Sequence, residues 1–200
     1  MRKRLLKYSI VLIFVGIGLF ISYYYLGIFT PYNYFTAKRD ISNNKPRLLI
    51  FGMPSDKDIQ SQRIAREYGF SYDIVAHCIV TESFVNRVRA YNKVTEDYLK
   101  NKFGENWELK FYNQVDSLYQ LEWKMIKIVS RHDLIINREN GIKKIKDRIG
   151  IIPFYEKDKK IYRVDVIGKK GNDTVSFYRF FINPFDSMII DIEKETIKFE

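Results

Sequence analysis

A single cysteine, Cys78, is present in 200 residues, so no intramolecular disulfide can close and the fold must hold without one. A secreted eukaryotic domain of this size more often carries paired cysteines, which points toward a bacterial envelope. Histidine is nearly as scarce. His77 and His132 lie far apart with no cysteine cluster beside them, which excludes a zinc site of ordinary spacing. No glycine-rich phosphate signature occurs: the turn Phe51-Gly52-Met53-Pro54-Ser55 precedes a helical pattern but carries Asp56 and Asp58 where an anion would dock. No internal repeat is visible, and no cofactor is implied.

Charge is also missing from one long stretch. Between Lys7 and Lys38 there is no Asp, Glu, Lys or Arg, and Ile10 to Ile21 is wholly Ile, Leu, Val, Phe and Gly. Roughly 20 apolar residues are needed to cross a bilayer as a helix, and Tyr8 to Leu26 predicts such a span, with membrane lipid as its partner. Tyr23, Tyr24, Tyr25, Phe29, Tyr32 and Tyr34 follow as an interfacial aromatic girdle. A cleaved signal peptide is the alternative reading, but bulky residues occupy the positions after Ser22 where a small-x-small cleavage site would lie. Arg2, Lys3, Arg4 and Lys7 precede the span, while balanced Lys38, Arg39 and Asp40 follow it. This asymmetry places the N-terminus in the cytoplasm and the remainder outside a cytoplasmic membrane.

Three segments result: a basic tip and transmembrane helix over 1–29, a tether over 30–46, and an extracytoplasmic domain over 47–200. Hydrophobic residues make up 46% of the chain, enough apolar surface for a compact domain in place of a disordered tail. Arg47–Met53 and Asp73–Val80 are apolar on both faces, as in buried strands, and flank a helical pattern from Ser55 to Tyr68. A strand-helix-strand start follows. Thr81 to Phe103 repeats apolar residues at helical spacing, and Trp107, Phe111, Val115 and Leu118 continue that period. Residues 119–136 fit both helix and strand, and helix is the preferred reading. Ile142, Ile145 and Ile149 suggest a short helix before Gly150.

Beyond Gly150 short β-rich runs take over at 151–155, 161–167, 175–182, 188–192 and 197–199. Tyr162, Val164 and Val166 alternate there with Arg163, Asp165 and Ile167, read as the pattern of an antiparallel sheet with one wet face. The predicted class is therefore α+β, with central helices and a C-terminal antiparallel meander.

Candidate chemistry is thin. Cys78 shares a strand face with Ile74, Ala76 and Val80, which predicts a buried, inert thiol, and adjacent His77 would point to the opposite face. No catalytic, metal or cofactor-binding residue is nominated. The formal net charge is +10, of which Arg2, Lys3, Arg4 and Lys7 supply four. The densest remaining cations, Lys143, Lys144, Lys146 and Arg148, are a solvated face or a contact for anionic lipid or polymer. Nucleic acid is not an expected partner, because aromatics scarcely interleave with these cations. The sequence thus suggests a binding module of the cell envelope, engaging an envelope protein or anionic polymer. An envelope enzyme whose site assembles only in three dimensions is the alternative.

Overall fold

The computed structural model describes residues 2–23, 30–142, 149–156, 158–170, 173–194 and 197–198. Helices and an antiparallel sheet make a mixed α+β chain. It divides into two compact units, Met1–Asp116 and Ser117–Glu200.

The first unit opens with helix α1 (Arg2–Ile21). Every side chain from Tyr8 to Ile21 is exposed, with Leu12 and Phe14 both at 70%. Among the described residues no helix is long and apolar enough to cross a membrane. The predicted span runs to Leu26, and residues 24–29 lie outside the described residues.

The stretch read as a tether carries a helix, α2 (Tyr34–Ser42). Asn33 caps it: its side-chain oxygen accepts from the backbone N–H groups of Phe35 and Thr36, both at 2.9 Å, and its own N–H donates to the Thr36 hydroxyl. This reciprocal cap satisfies donors that a short helix leaves orphaned. Ala37 is its one buried residue, so the helix has no apolar stripe to betray it.

Strand β1 (Arg47–Phe51), helix α3 (Asp58–Tyr68) and strand β2 (Ser71–Ala76) form the anticipated strand-helix-strand start, and the two strands are parallel. Ser55 and Asp58 make the local turn, the Asp58 carboxylate accepting from the Ser55 N–H at 2.8 Å. Gly69 ends α3 at φ 79°, a left-handed geometry that glycine adopts without strain. Helix α4 (Glu82–Phe103) begins at the Thr81 cap and stops at Gly104, both as the spacing predicts. Leu49, Val88 and Tyr91 pack with Ala37 in one cluster. Phe70, Trp107 and Phe111 bury their rings against one another and Tyr68.

Helix α5 (Trp107–Ser130) runs across the boundary between the units, and α6 (Asp133–Ile142) follows after one turn. Residues 119–136 are therefore helical, as preferred, apart from the turn at Arg131 and His132. Strands β3 (Gly150–Glu156), β4 (Ile161–Lys170), β5 (Asp173–Ile182) and β6 (Ile189–Glu193) form an antiparallel meander. A last short strand, β7 (Ile197–Lys198), pairs with β5 at Val175 and Ser176. Tyr162, Val164, Val166, Phe180 and Ile182 on one face meet Met125, Val129 and Ile135 of the helices. That layer is the core of the second unit.

Candidate binding surface

The meander uses only one face for its core, so the opposite face is where a functional surface can be built. Register defines its rows, because directly paired residues share a face. Ile152, Asp165, Arg179 and Glu193 make one row; Phe154, Arg163, Phe181 and Asp191 make the next. Ion pairs link them. Arg163 and Arg179 each place Nε 3.3 Å from the same Asp165 oxygen, Arg163 also approaches Glu156 at 3.6 Å, and Arg179 approaches Glu193 at 3.9 Å. Lys159 extends the ladder to Glu156 at 3.2 Å. The Arg163 guanidinium lies over the Phe154 ring at 4.7 Å, a cation–π contact that holds it flat on the sheet.

Alternation predicts that Asp165 faces water. It is only 1% exposed, because the long side chains of Arg163 and Arg179 lie across it. Burial raises the Asp165 carboxyl from its ordinary pKa, outweighing the opposing pull of Arg163 and Arg179. Three cations, Lys159, Arg163 and Arg179, face four carboxylates, Glu156, Asp165, Asp191 and Glu193, so this surface presents no positive field for an anion. What it offers is a rigid, paired, half-buried polar surface edged by Phe154 and Phe181. Such a surface suits recognition of a polar partner through exchanged ion pairs.

A second ionic group sits in the first unit. The Tyr91 hydroxyl donates to Asp40 at 2.5 Å, and Arg47 pairs with Asp73 at 2.7 Å while reaching Asp40 at 3.8 Å. Burial, then the bond to Asp40, pushes the Tyr91 hydroxyl well above its ordinary pKa. These four residues come from α2, β1, β2 and α4 and join all four elements. The Tyr91 hydroxyl and the Arg47 guanidinium are each held by a carboxylate of the group, which ties these elements together.

The thiol expectation is overturned. Strand β2 ends at Ala76, and Cys78 is free and exposed. The cause is the partner strand: β1 stops at Phe51, and after the bond from the Gly52 N–H to the Ala76 carbonyl there is no further ladder to join. His77 and Ile79 are exposed as well, Ile79 at 99%. Substitution of Cys78 by Ser is accordingly expected to change stability by less than about 0.5 kcal/mol. A maleimide should label the native thiol as fast as it labels a free peptide thiol. Protection of Cys78 until the protein is denatured would restore the core reading.

His132 is a capping residue. Its Nδ1 accepts from the Leu134 N–H at 3.3 Å at the start of α6, and its ring meets Phe180 edge-on at 5.2 Å. Among the described residues no group of three or more His, Cys, Asp or Glu could hold a metal ion. Lys143, Lys144, Lys146 and Arg148 lie outside the described residues, as do Ile145 and the rest of 143–148. The chain matches no protein-family model, and no similarity to a curated protein or a solved structure is found. Function is therefore argued from the residues themselves.

Proposed function

We propose that this chain is a membrane-anchored binding module of a cell envelope, with residues 8–26 in lipid, the N-terminus in the cytoplasm and both compact units outside. The observation that carries it is the exposure of α1. From Tyr8 to Ile21 every side chain faces outward, and apolar residues occupy all sides of the helix. An all-round apolar helix requires an apolar environment on every side, and the described protein covers none of that surface. Tyr8 to Tyr23 rises about 24 Å at about 1.5 Å per residue. The hydrocarbon core measures about 30 Å, so the proposed span draws on residues up to Leu26 to complete it.

Binding in place of catalysis is favoured by the character of the polar groups. The ladder on the meander and the Tyr91–Asp40–Arg47–Asp73 group satisfy their charges internally. Their exposed rims fit an envelope protein, and the run Lys143, Lys144, Lys146 and Arg148 supplies by sequence the positive charge that an anionic polymer would meet.

Alkaline carbonate washing of membranes tests the anchor, and protease added to right-side-out cells tests the topology. The chain is expected to stay in the pellet and to lose both units to the protease. Recovery in the supernatant would refute the anchor; full protection in intact cells would reverse the orientation.

A further inference from the structure

Helix α2 buries a narrow face and leaves a broad one open. Asn33 and Ala37 are buried, and Asp40, the one acid of the helix, turns inward to meet Tyr91 and Arg47. Tyr32, just ahead of the cap, also points inward, its ring edge-on to Phe84 and Tyr91. The outer face is of one kind. Tyr34 and Phe35, 40% and 57% exposed, meet edge-on at 5.4 Å, and exposed Lys38 and Arg39 stand one turn beyond them. Lys38 sets its ammonium 4.5 Å from the centre of the Tyr34 ring. The reciprocal cap at Asn33 fixes where the helix starts, and with it which way the two rings point. Aromatic rings beside Lys and Arg, with the carboxylate of the helix turned away, are the side chains that settle at a membrane–water interface.

We infer that this outer face of α2 is a foot that rests in the headgroup layer of an anionic membrane, with Tyr34 and Phe35 at the acyl boundary and Lys38 and Arg39 against lipid phosphates. The inference rests on the proposed anchor, and chain length selects the occupant. Leu26, the end of the proposed span, and Thr30 are four residues apart in sequence, a reach of at most about 14 Å. Thr30 is then drawn onto the cap, its carbonyl accepting from the Asn33 side-chain amide at 2.8 Å. A headgroup layer is about 5–8 Å thick on each side of the hydrocarbon, so α2 starts within a short reach of it. The face is too small to hold a membrane alone. The span supplies the effective concentration that makes a weak contact persistent. Through Asp40 the helix is tied to Arg47 of β1 and Tyr91 of α4, so the contact orients these elements on the membrane as well as α2 itself.

Depth measurement on the full chain in vesicles of mixed phosphatidylcholine and phosphatidylglycerol tests this, in a Cys78→Ala background. A nitrobenzoxadiazole dye is attached at Phe35→Cys, Ile59→Cys or Ile17→Cys, and its quenching is read with lipids that carry a nitroxide near the headgroup or deep in the acyl chain. Ile59, 64% exposed on α3, is the control across the sheet from α2. Leu49 packs with Ala37, whereas Leu48 points to the other face, shared with Tyr72, which bonds Ser61 of α3. The shallow nitroxide is expected to quench position 35 several-fold more than position 59. Lys38→Glu combined with Arg39→Glu should bring position 35 down to the level of the control. Equal quenching at positions 35 and 59, or quenching at 35 that survives the charge reversal, would overturn the inference. Position 17, near the middle of the proposed span, separates the two ideas: a chain quenched there by the deep nitroxide but not at 35 keeps the anchor and loses the foot. A chain left unquenched at 17 loses the anchor, and the foot that rests on it falls as well.

Discussion

Truncation of Phe180 to Ala is expected to destabilise the second unit by about 3–5 kcal/mol, the range for removing a buried aromatic ring from a packed core. Phe180 is fully buried and packs within the layer formed by Val164, Met125 and Val129. Its ring also meets His132 at the start of α6, so the cavity would loosen the helix cap as well as the sheet. Its neighbour Phe181 is the control. It faces the other side of the sheet, opposite Arg163 and Asp191, and is half-buried. Phe181→Ala should cost about 1 kcal/mol, the ordinary value for a substitution away from the core. Urea denaturation, with hydrogen exchange read over β4 and β5, measures both. Equal losses from the two variants would show that the face carrying Arg163 and Asp165 is a second core and no open surface.

The face assignment of β4 was legible because period-two alternation of Tyr162, Val164 and Val166 with polar residues needs no knowledge of partners. What alternation does not carry is lateral register. Arg163 and Arg179 are sixteen positions apart, and only the pairing of β4 with β5 brings both onto Asp165. Asp165 therefore read as wet when it is buried.

Strand length was misread for a related reason. Asp73 to Val80 carries apolar residues on both faces, but a strand persists only while its partner does, and β1 ends at Phe51. Residues 77–80 leave the sheet and expose Cys78 with them. Helix α2 escaped notice because its signal is a cap, Asn33 with Thr36, and a single buried alanine, in place of an apolar stripe. Helix α4 was plain because its apolar residues recur over several turns, and Trp107 to Leu118 continued that period into α5; beyond Leu118 the spacing of Leu121, Trp123 and Met125 fitted a strand as well, so only the first half of α5 was clear.

Asn92 is the residue on which the first unit's sheet most depends outside its apolar core. The side chain stands in for a neighbouring strand, giving Leu49 one donor and one acceptor, and Leu49 itself is only 1% exposed. Asn92→Ala leaves a buried N–H and a buried C=O unpaired. At about 1–3 kcal/mol for each unsatisfied group, the expected loss is about 3 kcal/mol in chemical denaturation. Asn92→Asp separates the two bonds. The carboxylate can still accept from the Leu49 N–H, but it sets a second oxygen against the Leu49 carbonyl, so at neutral pH the variant should be at least as unstable as the alanine form. Protonation restores a donor, which raises the folded-state pKa of the introduced carboxyl above its unfolded value of about 3.9. Stability contributed by that proton is fully present below the unfolded value and is lost as pH rises through the folded one. The Asp variant should thus recover toward wild type on acidification, while the alanine variant shows no such recovery relative to wild type. A loss under about 0.5 kcal/mol for Asn92→Ala, the scale of a neutral surface change, would mean that water seals the β1 edge as well as the side chain does.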